Sequence, residues 1–467
     1  MLSLLGPSFP TANGISRREM IRVGGLSMGG VGLADLLARQ SQAESAVRLH
    51  GPGFGRAKRA IILYLSGGHP QHDMFDPKPD APAEIRGEFS TIETSVPTLR
   101  FGEHCPLSAK LMNQMALIRS MNHTHNDHGR GSYWMFTGYM YPGSVPDVNS
   151  MSRQDMPHLG SCVTKVAPGS GPMFPFIIVP HRMDVAGGRR AGQFAGMLGP
   201  KYDPLLTGGN PNDDNFRLDH IPLVPNEEPV VIRRRMGLVD QLNQQVDYLR
   251  DAAVSQSLKE NQIKALDVVG SDAVRRAVDL SAIDATERDR YGRNLFGQSV
   301  LLGRRLLQAG TRVVQCNWQR AQGKNGFAWD THWNNFSALK EELIPAYDRA
   351  FYALMTDLAE TGELAETLVI VASEFGRSPK VTLRNGGREH WPELYNVLMA
   401  GAGIQGGQVY GASDKLGAYP AENPVGPADF VATIYHMLGI DPHSKLYDHQ
   451  NRPFQLTKGN PFPLQMV

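Results

Sequence analysis

The chain has 467 residues, with 47 Lys plus Arg against 46 Asp plus Glu, so it carries no basic field to attract nucleic acid or an anionic lipid surface. Its three cysteines, Cys105, Cys162 and Cys316, lie far apart, which argues against a disulfide framework and leaves room for one bridge at most. With 49 Gly and 32 Pro, ordered loops must be abundant, and stability has to come from a sizeable core.

Residues 1–46 read as an export signal. SRREMIR (16–22) sets Arg17 and Arg18 side by side, an uncharged glycine-rich stretch runs from Val23 to Ala34, and small residues arrive at Ser41-Gln42-Ala43. A charged start, a short apolar stretch and a small-residue cleavage site describe a secretory signal, and the paired arginines point to the twin-arginine route. The expected partner during export is the twin-arginine translocase, and the expected location is the periplasm or the outside of the cell. A membrane span needs roughly 20 mainly apolar residues. This stretch is shorter and rich in glycine, and no later segment has that length, so no membrane anchor is expected.

Residues 47–57 read as a polar linker, and 58–467 as one α/β domain. AIILYLSGG (60–68) is an apolar, β-branched run closed by Gly67-Gly68, the pattern of a strand buried on both faces. A helix around 106–114 leads into a second strand, ALIRSM (116–121). Residues 138–225, rich in Gly, Pro, Asp and Asn, read as loops and short helices. From Arg233 to Ala309 helical spacing dominates, and Gly310 ends the last helix. TRVVQCNW (311–318) is a third strand, 343–362 a helix, TLVIVASEFG (367–376) a fourth strand, YNVLMAGAG (395–403) a further one, and 427–440 a closing helix. Helices alternating with apolar strands imply a large, mainly parallel sheet with helices on both faces.

In such sheets ligands sit beyond the carboxyl ends of the strands, and the chemically rich residues fall there. The first strand is followed by His69, His72, Asp73 and Asp76, and the second by His123, His125, Asp127, His128 and Arg130. The third carries Asp330 and His332, the fourth Glu374 and Arg377, with Arg388, Glu389 and His390 in the loop downstream. Imidazole and carboxylate are the usual ligands of Zn, Mn, Ca or Mg, and arginines beside them suit an anionic substrate. Taken one at a time, the same residues serve equally well as helix caps and loop braces. No P-loop, nucleotide-binding glycine motif, Cys-x-x-Cys, His-Glu-x-x-His or Gly-x-Ser-x-Gly stands at these places.

The leader together with GGHPQHDMFDPKPDAPAEIRGEF, WDTHWNNFSAL, SEFGRSPKV, GREHWP and GGQVYGASD resembles the exported domain of unknown function 1501 family, often labelled sulfatase-like, over essentially the whole mature chain. That family looks like a divergent branch of the alkaline phosphatase and sulfatase superfamily. The resemblance implies an alkaline phosphatase/sulfatase-like α/β fold and a divalent metal. It implies one metal site from Asp330, His332 and His390, and an altered second site from Asp73, His128 and Glu374. HGRGSYWMFTG (128–138) is similar to the sulfatase signature in its spacing to Thr137-Gly138, which puts His128 at the nucleophile position and leaves Ser132 as a substitute. Because neither Cys nor Ser stands at that position, the usual sulfatase route is disfavoured. Arg130, Arg377 and Arg388 would hold the anion. Two functions follow: a metal-dependent hydrolase of phosphate or sulfate esters acting on a small-molecule or glycan ester, or a catalytically degenerate envelope protein that binds a glycan, a metal or a protein.

Overall fold

The fold is given by a computed structural model, which describes residues 51–142, 151–169, 173–183, 191–218, 271–319, 328–382 and 386–467. The leader, part of the linker and the helical reading of Arg233 to about residue 270 lie outside the described residues.

Eight strands form the central sheet: β1 (Arg59–Tyr64), β2 (Met115–Met121), β3 (Phe176–Val179), β4 (Leu205–Leu206), β5 (Val313–Asn317), β6 (Thr367–Ala372), β7 (Tyr395–Ala400) and β8 (Val409–Tyr410). Their order is β8-β2-β7-β6-β1-β5-β3-β4. β1 sits between β6 and β5 in parallel register, Ala60 facing Leu368 on one side and Val313 on the other. Every strand but β7 runs the same way.

Alternation along these strands divides the core into two layers, as period-2 geometry requires. Ile61, Leu63, Val314, Cys316, Val369 and Val371 face one layer, built with α6 (Leu295–Gln308) and α7 (Ile344–Glu360). Ile62, Tyr64, Ile118, Val313, Ile370 and Val397 face the other, built with α2 (His128–Thr137), α3 (Leu159–Val166) and α8 (Pro427–Met437). α1 (Pro106–Lys110), α4 (Asp272–Val278) and α5 (Ala285–Tyr291) pack into the first of these layers. Helices therefore cover both faces, which is why the inner strands are apolar without interruption. The three cysteines are free and buried. Among the described residues no helix is long and apolar enough to cross a membrane.

Besides the short strands β4 and β8, which the sequence reading does not place, two elements differ from it. The loop-rich region 138–225 contains strand β3, whose four residues FIIV are too few to stand out between Pro175 and Pro180. β7 pairs antiparallel with both β6 and β2. Among its described residues the link 373–394 holds no helix to carry the chain back across the sheet, so β7 begins at the edge where β6 ends. The link therefore stays at the carboxyl edge of the parallel strands.

Gly67, at the end of β1, fixes the distance between the first and third strand-end loops. Its φ is 118°, and a Cβ there would stand 2.3 Å from the backbone nitrogen of Asp330. Gly67→Ala adds a steric clash with backbone to a strained φ, so urea unfolding should show a loss of roughly 3 kcal/mol. A loss under about 1 kcal/mol would show that the two loops are not held at this contact.

Candidate metal centre

His128 opens α2, with Asp127 as its N-cap: the Asp127 carboxylate accepts from the Arg130 backbone N–H at 3.0 Å. The helix ends as its sequence suggests, Gly138 taking the left-handed φ of 75° after Thr137. This first turn brings His128 over the ends of β1 and β6. Opposite it lie Asp330 and His332, on the loop after β5, and His390, in a short ladder where His390 pairs with Arg377.

Asp330 is the hub. Its Oδ2 lies 3.2 Å from His128 Nε2, and its Oδ1 lies 3.1 Å from His332 Nε2 and 3.1 Å from His390 Nε2. The two last imidazole nitrogens are 2.9 Å apart. The far side of each ring is tied back. Nδ1 of His128 donates to Glu374 Oε1 at 2.6 Å, Nδ1 of His332 to Glu389 Oε2 at 2.6 Å, and Nδ1 of His390 to the Asn126 carbonyl at 2.6 Å. With Nδ1 as donor in all three, each Nε2 faces the same small space and, once deprotonated, would offer it a lone pair.

Burial alone would raise the Asp330 carboxyl, but the three imidazoles and the Arg377 guanidinium beside it hold it far below the usual range. Burial lowers His128, yet Asp330 and Glu374 carry it above the ordinary imidazole value. His332 is raised, chiefly by Asp330. His390 is lowered, first by burial, despite its bond to Asp330. The cluster thus draws positive charge to its middle.

The residues fit a cation. Tetrahedral coordination at about 2.0–2.1 Å sets ligand atoms roughly 3.3 Å apart, close to the spacings observed. His128, Asp330 and His390 each offer a ligand atom, all within 4.8 Å of one another, and His332 stands as a fourth. His128 Nε2 is buried, meets no hydrogen-bond geometry and faces the Asp330 carboxylate at 3.2 Å. Three imidazoles and one carboxylate are a donor set for Zn or another transition metal more than for Ca or Mg.

Residues 57–465 match the family described as protein of unknown function (DUF1501). The chain belongs to that family. A search of curated proteins returns no match. Among solved structures the chain is similar to the PsFucS1 sulfatase from Pseudoalteromonas sp., at 12% identity, over 86% of this chain and 72% of that one, with a TM-score of 0.36. It is also similar to the phosphonate monoester hydrolase SpPMH from Silicibacter pomeroyi (11%, 87% and 75%, TM-score 0.38). A third likeness is to a protein in the alkaline phosphatase superfamily from Vibrio parahaemolyticus (11%, 85% and 72%, TM-score 0.32).

The remaining expected residues of this DUF1501 protein sit elsewhere or one layer back. Asp73 meets Arg388 in a fully buried bidentate pair, with Nε to Oδ2 and Nη2 to Oδ1 both at 2.9 Å, and Asn335 donates to the same carboxylate. The other Arg388 donors go to the carbonyls of Ser378, Pro379 and Ile85, so none faces solvent to hold an anion. Arg377 is as fully buried: it binds Asp330 at 2.6 Å and the carbonyls of Gly67, Gly68 and Arg388, and so orients the hub. Glu374 is held by the Gly67 N–H at 2.8 Å and stands behind His128 instead of in the cluster. Ser132 is buried one turn below His128, accepting from the Tyr64 hydroxyl and donating to Met183 sulfur, both at 3.2 Å. Arg130 remains partly exposed on the first turn of α2.

The other strand-end histidines brace loops. His123 bonds the Glu374 carbonyl, His69 bonds Ser373, and His72 bonds the Leu416 carbonyl. Burial pushes them down, His69 to about 3 and the other two to about 4, so they stay neutral. Asp76 is taken up by Lys78 and Arg119. Two contributors orient the rings from behind: Glu389, which the sequence reading names among the strand-end residues without this role, and the Asn126 carbonyl, which it does not name. The partner of Glu389, His332, lies 57 positions away, so adjacency to His390 does not reveal which ring it holds.

Removing one partner of a buried pair leaves an uncompensated charge. Arg388→Ala should therefore cost roughly 3–5 kcal/mol in urea unfolding. A cost near zero would return Arg388 to the anion-binding candidates.

Proposed function

We propose that this protein is an exported, metal-dependent hydrolase of phosphate or sulfate esters, working from one centre made by His128, Asp330, His332 and His390. The observation that carries the reading is the convergence of three Nε2 atoms on one carboxylate, with every Nδ1 anchored behind. A divalent cation held there would supply Lewis acidity, polarising an ester oxygen and making nearby water more acidic. The chain's own residues do the rest. Glu374, Glu389 and the Asn126 carbonyl fix the ring planes, Arg377 fixes the carboxylate, and Arg130 is the guanidinium left to meet the anion.

One observation favours a second reading, a sulfatase-like binding protein without catalysis. Neither nucleophile candidate is free: Ser132 is buried between Tyr64 and Met183, and His128 turns its Nε2 into the cluster.

Metal analysis of the purified protein, with assays on phosphomonoesters, phosphodiesters and sulfate esters, separates the two. Bound metal with turnover lost in His390→Ala supports the hydrolase, and metal without turnover supports the binding protein. A protein that takes up no metal and cleaves nothing sinks both the centre and the activity. The pH dependence has a definite sign. His128 and His332 hold their protons above the ordinary imidazole range, and those protons must leave before a cation enters. Affinity for Zn2+ measured by titration calorimetry should fall at least about tenfold from pH 8 to pH 6. A flat profile would mean that these imidazoles are not ligands.

Export rests on the leader alone. With Arg17→Lys and Arg18→Lys together, fractionation should find the unprocessed protein in the cytoplasm. Unchanged export would remove the twin-arginine assignment and the translocase with it.

A further inference from the structure

Trp333 stands beside the centre with its side chain in water. It is 55% exposed, whereas the other four tryptophans are buried or half-buried. Large aromatic side chains contribute most when covered, so an indole left out at a functional site calls for a reason.

A loose loop is not that reason. Thr331 accepts from the Arg388 backbone N–H at 3.0 Å, and the Asn335 N–H donates to Gly386 at 3.1 Å. The Thr331 hydroxyl donates to the Asn335 side chain at 2.6 Å. A Cβ on Gly387 would stand 1.8 Å from the His332 carbonyl oxygen and 2.6 Å from the Trp333 nitrogen, so this peptide lies directly on the neighbouring loop. Asn334 then takes a left-handed φ of 52°, turning the chain immediately after the indole. The backbone is clamped on both sides of an exposed ring.

That ring is aligned with the chemistry. Its plane is 30° from the imidazole of His332, with centroids 6.3 Å apart. At Nδ1 of the same imidazole, Glu389 accepts while its side chain stays 55% exposed. A flat apolar face and a solvated carboxylate therefore flank one edge of the metal centre.

We infer that Trp333 and Glu389 form a sugar-binding platform, and that the ester cleaved at this site is carried on a pyranose. The C–H face of a pyranose bears slight positive charge and meets the negative face of an indole, while its hydroxyls supply donors to a carboxylate. A plain aryl ring offers the face but no donor for Glu389, and a short alkyl ester offers neither. The inference rests on the hydrolase reading for its reactive group and on Trp333 for its substrate class.

The test uses the metal-loaded full chain and compares glucose 6-phosphate and glucose 6-sulfate with methyl phosphate, methyl sulfate and phenyl phosphate. Trp333→Ala should raise KM for the glucose esters at least tenfold with little change in kcat, and Trp333→Phe should recover most of the loss. The methyl esters should lose far less. Equal losses on glucose and methyl esters would overturn the platform, and an equal loss on phenyl phosphate would overturn the sugar as its ligand. If no ester is cleaved, the hydrolase reading fails while the platform is still tested by titrating glucose 6-phosphate against tryptophan fluorescence. A saturable change present in the wild type and absent in Trp333→Ala supports the platform, and no change in the wild type overturns it.

Discussion

The carboxylate of Asp330 is the point on which the site depends. Three imidazoles and one guanidinium compete for its two oxygens within 3.2 Å. Only Arg377 brings a permanent charge, and Glu374, equally buried, adds a second negative one behind His128. Two buried carboxylates against one guanidinium leave the pocket short of positive charge. Protons on His128 and His332 answer that shortage in one way, and a divalent cation answers it in another.

Such a cluster needs backbone held at close quarters, and the topology supplies it. β1, β5 and β6 are neighbours in parallel register, so the loops after them meet by construction. Gly67 lets the first loop touch the third, and its carbonyl, with that of Gly68, anchors Arg377 from the fourth. The reversal of β7 is equally important. Since the link 373–394 leaves and re-enters the sheet at one edge, Glu374, Arg377, Arg388, Glu389 and His390 all stay over the strand ends. A helical crossover in that interval would have carried the chain to the opposite edge and left His390 on the wrong side.

Much of this arrangement is legible in the amino-acid sequence. Apolar runs closed by glycine mark the inner strands, and the rule that ligands gather at carboxyl ends picks out the four loops that do converge. Residue type does not reveal which carboxylate faces inward. Asp73 and Asp330 look alike in sequence, yet Asp73 spends both oxygens on Arg388, a partner 315 positions away. Glu374 follows its strand as a ligand would, but its own loop tilts it behind His128. The direction of β7 is hidden for a different reason: a fully buried strand reads the same in either direction, and only the lack of a helical pattern ahead of it gives the reversal away. β3 escapes notice because four residues between prolines are too short for a period to show.

The Asp73–Arg388 pair also bears on how many cations the centre can take. Resemblance to the superfamily implies a second site using Asp73, His128 and Glu374. Here each of those groups already faces a partner supplied by the chain: a guanidinium for Asp73, an imidazole N–H for Glu374, and Asp330 with its neighbours for His128. A guanidinium delivers positive charge that no chelator removes and no pH in the working range neutralises. It also fills the space, because its donors are shared out among Asp73 and three backbone carbonyls. Fixed protein charge thus already neutralises the Asp73 carboxylate. Among the described residues, the group of side chains placed to hold a cation is His128, Asp330 and His390, with His332 beside them.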